Sequence, residues 1–451
     1  MEQKNQITEG VIWKQLLFFF FPILIGTFFQ QIYNTADSII VGRFVGKEAL
    51  AAVSGSVNQI VNLIVEVFVG LTSGASVIIA QFYGAKDRKN LDITLHTSYA
   101  FALTTGLVTG LIGVIISSPV LRLMKTPEEL MADSAIYLHI YFFGIIFNIT
   151  YNMGASVLRA SGDSRRPLYV LIISCVLNIF LDILLVVFLG LGVRGVAIAT
   201  VTCQGISAAL VTAFLIKGNE LFRLNLRRIR FHLVSFQAIT RIGVPAALEA
   251  AMYTVANIVI QVFVNELGTD TVAAWGTLGK IDAVFWMVVN SFSIAITTFV
   301  GQNWGAGKVK RMRKSVLVCL AMSYGAAFLV SGSLYGFAEQ LYSLFTTDRT
   351  VITIGLNMLR FLMPSYFLYV AIGILSGALR GAGKVLVPMI LTCGGVCFIR
   401  IVWMFGVLPW YPGIKTIMIS YPISWGITAI LFVIYYLNKF PKVRNIQGET
   451  E

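Results

Sequence analysis

The chain has 451 residues, of which 57% are hydrophobic and 12% are charged, and its formal net charge is +13. Soluble globular domains carry about 25% charged residues, so this composition excludes a soluble domain and predicts a polytopic membrane protein. The polar start MEQKNQITEG lacks the basic region and the small-residue cleavage site of a signal peptide. We therefore expect the first apolar segment to stay in the membrane.

Twelve apolar segments are long enough to span a bilayer as helices. In chain order they cover residues 14–41, 50–81, 93–120, 135–157, 167–189, 195–217, 237–265, 272–302, 315–337, 352–376, 386–409 and 416–437. The expected fold is an all-α polytopic membrane protein with twelve transmembrane helices.

The first apolar segment lies between Lys14 and Arg43 and contains one charged residue, Asp37. Pro22 and Gly26 near its start predict a point where this helix can bend, because proline removes a backbone hydrogen bond and clashes with the preceding turn. A carboxylate inside a membrane helix costs about 2.5–3.5 kcal/mol on insertion scales, so it usually faces protein or water. Asp37 is therefore a candidate functional residue, although an acid near a helix end can also reach the membrane interface.

The basic residues are distributed unevenly along the predicted topology. If the chain starts in the cytoplasm, 24 Lys and Arg residues lie at the termini and in the even-numbered connections, whereas seven lie on the opposite side. The positive-inside rule then places both termini in the cytoplasm. The basic excess is a topology signal, so we expect a lipid bilayer and no nucleic acid as partner.

The chain repeats itself with an offset of 221 residues. QFYGAK at 81–86 matches QNWGAG at 302–307, and LRASGDSRRP at 158–167 matches LRGAGKVLVP at 379–388. This offset predicts two six-helix bundles, 1–217 and 237–451, joined by a basic cytoplasmic linker at 218–236. An even number of spans gives both bundles one orientation, so a pseudo-two-fold axis along the membrane normal should relate them. The linker text LNLRRIRFHL fits an interfacial amphipathic segment or a plain solvated linker.

The charged residues inside the spans differ between the two halves. The first half contains only acids, Asp37, Glu66 and Asp182, whereas the second half contains both signs: Glu249, Lys280, Asp282, Arg360 and Arg400. Opposite charges can neutralise one another, which predicts a structural or gating network of Glu249, Lys280, Asp282 and Arg400. The acids of the first half need a proton, water or a cation instead.

Asp37, Asn178, Asp182 and Thr200 are the predicted cation-coupling site. Asn178 lies one helical turn before Asp182, and the other two residues fall at a similar depth, roughly 8–10 Å from the outer ends of their spans. Carboxylate, amide and hydroxyl oxygens suit H⁺ or Na⁺, and Asp37 and Asp182 would be metal ligands only if Na⁺ is the coupling ion. The prediction requires these helices to be neighbours, and Thr202 is the alternative to Thr200.

Several stretches together resemble the multidrug and toxic compound extrusion (MATE) family over essentially the whole chain. They are PILIGTFFQQIYNTADSIIVG in span one, QFYGAK after span two, NIFLDILLV in span five and VGQNWGAGK after span eight. The resemblance implies a V-shaped pair of six-helix bundles. It also implies efflux of organic, often cationic, compounds driven by entry of H⁺ or Na⁺.

Within that family the chain is most similar to the archaeal and DNA-damage-inducible-protein-F-like (DinF-like) branch. Members of this branch use a first-helix Asp, 15 residues after a Pro, with Asn-x-x-x-Asp in span five, and Pro22, Asp37, Asn178 and Asp182 match that spacing. Thr200 matches the threonine of span six. The NorM-like branch relies on acids in spans seven and ten, and span ten of this chain has no acid.

Together with the spans and their acids, this resemblance implies a monomeric secondary active antiporter of the plasma membrane that needs no cofactor and exports organic, often cationic, drugs or metabolites in exchange for H⁺ or Na⁺. The alternative in the same superfamily is a flippase for a lipid-linked oligosaccharide, which usually carries more cationic residues in its central cavity. A membrane-embedded enzyme would need a cluster of catalytic residues at one membrane face. The sequence has no Walker A, HExxH or GxSxG motif, so we expect no enzymatic activity.

Overall fold

The computed structural model describes residues 7–218 and 223–440, and the regular structure of this part is helical, without a β-strand. Within these residues, twelve helices are long and apolar enough to cross a membrane. They confirm the predicted all-α fold and the predicted number of spans. Both chain ends and residues 219–222 of the predicted linker lie outside the described residues.

We label the spans α1 to α12 in chain order. Their bounds are Ile12–Val45 (α1), Lys47–Ala85 (α2), Arg88–Leu123 (α3), Glu128–Ala160 (α4), Arg165–Phe188 (α5), Gly192–Ile216 (α6), Leu233–Asn265 (α7), Thr269–Gly305 (α8), Val309–Gly336 (α9), Arg349–Gly381 (α10), Leu386–Gly406 (α11) and Ile414–Lys439 (α12).

Several spans extend beyond the apolar segments because their polar ends continue the helix. α4 begins at Glu128 rather than at residue 135. α3 begins after Asp87, whose carboxylate accepts hydrogen bonds from the Asn90 backbone N–H at 3.1 Å and from its side-chain amide at 2.7 Å. These bonds from Asn90 satisfy an amide that the first helical turn leaves free, and they lower the pKa of the Asp87 carboxyl. Apolar sequence marks only the part of each helix that hydrocarbon would surround.

Backbone irregularities occur in several of the described spans. α1 is α-helical from Ile12 to Ile40, through both Pro22 and Gly26, so the role of these two residues as bending points remains a prediction. Four spans contain a π-helical stretch, at Val41–Val45 in α1, Val53–Val57 in α2, Ile183–Phe188 in α5 and Cys393–Phe398 in α11.

The helices form two compact units. The first unit comprises Phe21–Ala247, and the second comprises the chain up to Phe20 together with the chain from Leu248 onward. Each boundary falls inside a helix, α1 or α7, and within two residues of Pro22 or Pro245. The predicted bundles, 1–217 and 237–451, follow the sequence repeat. They place the first turns of α1 in the first bundle and those of α7 in the second bundle. In the structure the first turns of α1 belong to the second unit and those of α7 to the first unit.

Each unit is built around the fourth helix of its repeat. In the first unit α4 packs against α2, α3 and α6, and in the second unit α10 packs against α8, α9 and α12. The second pattern is the first one shifted by six helices. The two sequence copies therefore share an internal packing scheme.

In the second unit the described start of the chain is held by the first turn of α9. The Arg311 guanidinium donates hydrogen bonds to the backbone oxygens of Ile7 at 3.2 Å, Glu9 at 2.8 Å and Gly10 at 2.7 Å. Asn303, near the end of α8, also donates to the Ile7 oxygen, at 3.4 Å. A guanidinium has five N–H donors in a fixed plane, so one arginine can bind several carbonyl groups of an irregular segment.

In the first unit α2 and α7 approach each other closely through small residues. A Cβ atom added to Gly74 would lie 2.7 Å from the backbone N and 3.0 Å from the Cα of Gly243. A Cβ atom added to Gly70 would lie 2.6 Å from the backbone N and Cα of Ala247. Small residues at such spacing are typical of helix contacts in membranes, where the backbones themselves approach each other.

We predict that Gly74→Ala destabilises the protein by about 1–3 kcal/mol, because its methyl group would meet backbone atoms that cannot rotate away. The measurement is the thermal unfolding midpoint of the purified protein in detergent. Gly276→Ala in α8 is the matched control, because nothing lies within 4 Å of its added Cβ. Alanine there should be neutral or stabilising by about 0.5–1 kcal/mol. Equal midpoints for the two variants would contradict the close α2–α7 contact.

Candidate functional site

A tight turn between α5 and α6 brings two of the predicted site residues to one level. Gly190 and Gly192 adopt φ angles of 65° and 57°, which glycine tolerates without strain. Asp182 lies nine residues before the central residue of this turn, Leu191, and Thr200 lies nine residues after it. Because the two helices are antiparallel neighbours, the two side chains reach the same depth.

The register between α1 and α5 brings Asp37 to the same level. A Cβ added to Gly26 of α1 would lie 3.0 Å from the Leu171 side chain of α5. Asp37 lies eleven residues beyond Gly26, and Asp182 lies eleven residues beyond Leu171. Both are odd-numbered spans and run in the same direction, so both carboxyl groups lie about three turns beyond this contact.

The structure brings together all four residues of the predicted coupling site. The side chains of Asp182, Asn178 and Thr200 lie close enough to the Asp37 carboxyl to interact with it. Asn178 and Asp182 are fully buried, Thr200 is 4% exposed and Asp37 is half-buried. Both side-chain polar atoms of Asn178, both carboxylate oxygens of Asp182, the Thr200 hydroxyl and one Asp37 oxygen are enclosed, yet they make no hydrogen bond of standard geometry with the described residues.

Tyrosine side chains surround this cluster, and the sequence analysis missed them. Tyr33 and Tyr137 lie close to both Asp37 and Thr200, and the Tyr137 and Tyr141 rings stack with centroids 6.3 Å apart. Gln204, near Tyr141, has an enclosed carbonyl oxygen without a standard hydrogen bond. Spacing could have found Tyr33, one turn before Asp37, and Gln204, one turn after Thr200. Tyr137 and Tyr141 lie on α4, which holds no predicted site residue, so no such spacing points to them.

Among the described residues the cluster holds two acids, Asp37 and Asp182, and neither has a basic partner. No Lys, Arg or His of the described chain forms an ion pair with Asp37 or Asp182. Two enclosed carboxylates in a medium of low dielectric repel each other strongly, so the pair is stable with a shared proton or a bound cation. The oxygens of Asp37, Asp182, Asn178 and Thr200 are hard ligands of the kind that H⁺ and Na⁺ accept. No group of three or more His, Cys, Asp or Glu residues able to hold a metal occurs within the described residues.

Glu249, Lys280, Asp282 and Arg400 form no ion pair with one another among the described residues, so their mutual neutralisation is not observed and their structural or gating role stays a prediction. Glu249 forms its ion pair with Arg380 instead, at 3.0 Å. Arg380 lies between the predicted spans 352–376 and 386–409, so the sequence places it among the 24 basic residues of the termini and cytoplasmic connections. Arg380 lies one residue before the last residue of α10, and its guanidinium also bonds to Ser376 one turn earlier, so it points back along the helix toward Glu249.

The other three residues of that predicted network have separate environments. Asp282 accepts hydrogen bonds from the Tyr366 hydroxyl at 2.7 Å and from the Trp286 indole at 3.1 Å. Arg400 is buried and donates to Ser424 at 3.0 Å. Its guanidinium also lies 3.9 Å from the ring centroid of Tyr421 and 5.1 Å from that of Trp425. Lys280 is exposed and lies 5.6 Å from the Phe345 ring centroid. Neutral donors and aromatic faces therefore replace the expected ion pairs.

The sequence profile of the MatE family matches residues 22–184 and, a second time, residues 245–405. The twelve-span fold places the chain in the class of membrane transport proteins. The two matches show that the chain belongs to the MatE family. The two matches end 221 residues apart, which is the offset of the sequence repeat. The expected resemblance to this family is thus confirmed, whereas the DinF-like branch stays a prediction.

Relatives match over most of the chain. The chain is 30% identical over 434 residues to the probable multidrug resistance protein YoeA of Bacillus subtilis, covering 94% of this chain and 93% of that protein. It is 27% identical over 362 residues to the FAD transporter of Shewanella oneidensis, covering 78% of each. A solved MOP superfamily transporter from Pyrococcus furiosus has 23% identity and a TM-score of 0.89, with 96% of this chain and 97% of that one covered. At 23% identity, the similarity to the Pyrococcus furiosus transporter shows a shared fold only.

We predict that Arg380→Gln destabilises the protein by roughly 2–4 kcal/mol, because it leaves the Glu249 carboxylate buried without its partner. The Glu249 side chain is 10% exposed and the Arg380 side chain 28% exposed, so solvent screening keeps the effect below that of a fully buried pair. The double variant Glu249→Gln/Arg380→Gln should recover much of the loss. Thermal unfolding of the wild-type protein, the two single variants and the double variant measures the coupling free energy between the two side chains. Additive losses in the double variant would contradict the ion pair.

Proposed function

We propose that the protein is a secondary active antiporter that exports organic cations, such as drugs or metabolites, in exchange for H⁺ or Na⁺. The observation that carries this proposal is the enclosed pair of carboxyl groups, Asp37 and Asp182, which lie with Asn178 and Thr200 and without a basic side chain. Such a pair changes its net charge when a proton or a cation enters. It is therefore suited to couple ion entry to a change in helix packing.

The coupling uses the position of Asp37 on α1. When a proton or Na⁺ enters the cluster, the repulsion between the two carboxyl groups is relieved. The net negative charge next to α1 decreases. α1 can then repack, with Pro22 and Gly26 as the bending points. A cationic cargo loses its attraction to the site and leaves on the outer side. Ion and cargo are linked in this way only if each binds one helix arrangement better than the other.

The membrane orientation follows from the distribution of charge. With 24 basic residues on one side and seven on the other, we place both termini in the cytoplasm and the protein in the plasma membrane. In this orientation α1 and α5 run outward. The coupling site then lies in the outer half of the first unit, where it can take an ion from outside.

The names of the relatives support export and leave one alternative for the cargo. YoeA and another Bacillus subtilis relative, YpnP, are named as probable multidrug resistance proteins, and none of the relatives named above is described as a flippase. The Shewanella relative is named a FAD transporter, so an anionic flavin is the specific competitor to a cationic cargo. The spacing of Pro22, Asp37, Asn178 and Asp182 supports assignment to the DinF-like branch.

We predict that Asp37→Asn and Asp182→Asn each abolish gradient-driven transport, because an amide neither takes up a proton nor supplies a charged ligand. The measurement is transport of a fluorescent organic cation and of a flavin in proteoliposomes, with an imposed pH gradient, an imposed Na⁺ gradient, or neither. The detergent-solubilised variants should still bind the compound that the wild-type protein transports, the fluorescent cation or the flavin. The gradient that drives the wild-type protein identifies the coupling ion.

Asp282→Asn is the matched control, because Asp282 is also a buried span carboxyl but is satisfied by Tyr366 and Trp286. It should keep its response to the same gradient, even if its rate falls. Normal gradient-driven transport by both first-unit variants would reject this coupling site. Loss of gradient dependence in Asp282→Asn alone would move the site to the second unit.

A further inference from the structure

The segment that leads from α6 to α7 carries basic and apolar side chains together on its exposed surface. We define the arginine strip as residues 223–234, RLNLRRIRFHLV. It contains four exposed arginines, Arg223, Arg227, Arg228 and Arg230, and four exposed apolar residues, Leu226, Phe231, Leu233 and Val234. The apolar side chains are 49–68% exposed. The strip contains no Asp or Glu, and no ion pair involves its arginines within the described chain.

The strip is fastened to the first unit at both ends. Leu224 is buried, and its backbone N–H donates to the Leu215 oxygen at the end of α6, at 3.0 Å. The Asn225 backbone N–H donates to His96 Nε2 at 3.0 Å. Because Nε2 accepts this bond, the His96 hydrogen is on Nδ1, which faces the Asp92 backbone oxygen at 2.7 Å.

Aromatic contacts hold the other end. The Phe231 ring packs edge-on against Phe236 of α7, and Phe236 packs edge-on against Phe101 of α3, with centroids 5.6 Å apart in both pairs. Ile229 packs against the core of the first unit. The backbone of the strip is thereby fixed at the point where two spans end, and its arginines remain exposed.

We propose that the arginine strip binds the headgroups of anionic phospholipids, such as phosphatidylglycerol, at the membrane surface. Four guanidinium groups without acidic partners attract phosphodiester anions and can bind them through two parallel hydrogen bonds. Each basic side chain near an anionic membrane surface adds to this attraction. The exposed Leu226 and Phe231 side chains between them suit acyl chains and glycerol, so the strip recognises an amphiphile rather than a soluble anion.

The test uses the full-length protein, purified in detergent and stripped of lipid. Phosphatidylglycerol, phosphatidylcholine and inorganic phosphate are titrated separately, and bound lipid is counted by native mass spectrometry. We expect the wild-type protein to bind phosphatidylglycerol on the order of tenfold more tightly than phosphatidylcholine, and inorganic phosphate weakly. The variant R227Q/R228Q/R230Q should lose on the order of tenfold or more of its phosphatidylglycerol affinity, since about 1.4 kcal/mol corresponds to a factor of ten.

The matched control is R43Q/R122Q/K415Q, which removes the same charge from three exposed residues elsewhere. It should keep its phosphatidylglycerol affinity within about twofold, since the charges that attract the lipid are close to it. The unfolding midpoint in phosphatidylcholine alone verifies that both variants fold. We expect it to match that of the wild-type protein, because the substituted side chains make no hydrogen bond in the described chain. Equal losses in both variants would show an effect of net charge and overturn the proposal. Inorganic phosphate binding as tight as that of phosphatidylglycerol would overturn it too.

Discussion

The constraint on which the structure depends is the low dielectric around two carboxyl groups. Hydrocarbon offers no water to the backbone, so the chain satisfies its amides within helices. In the same medium Asp37 and Asp182 would repel each other if both were ionised, and no basic residue of the described chain forms an ion pair with them. The helices α1, α5 and α6 hold these side chains together, and the enclosed oxygens lack standard hydrogen bonds. Such an arrangement persists because the surrounding packing holds it, which is the condition for a site that responds to an ion.

The two units show how a shared frame can hold different chemistry. Both are organised around the fourth helix of their repeat, α4 or α10. In the first unit Asp37 and Asp182 lie together, and neither forms an ion pair within the described chain. In the second unit Asp282 receives two neutral donors and Glu249 receives Arg380. Main-chain packing depends on small and apolar residues at fixed positions, so the polar side chains of the two copies could diverge while the frame was retained. We therefore expect ion coupling in one unit and a static role for the acids of the other.

Much of the fold could be predicted from the sequence, because apolar length and the 221-residue repeat are properties of the chain alone. Asp37, Asn178, Asp182 and Thr200 could also be grouped, since their depth follows from residue counts and helical rise. Three features needed coordinates. The division of α1 and α7 between units depends on which surfaces pack, and the repeat does not contain that information. The sequence does not distinguish Tyr137 from the other tyrosines of the spans, because its proximity to Asp37 and Thr200 depends on how α4 packs. Arg380 was assigned to a connection, yet its long side chain points back along α10 to Glu249.

The contact between Arg311 and the start of the chain has a consequence for biogenesis. The backbone oxygen of Ile7 is synthesised before its partner Arg311, which lies 304 residues later in the chain. At about 5–20 residues per second, roughly 15–60 s separate the two events. Throughout that time α1 has been made but its first turns have no second unit to join. Residues 7–10 can reach their final place only after Arg311 of α9 has been translated.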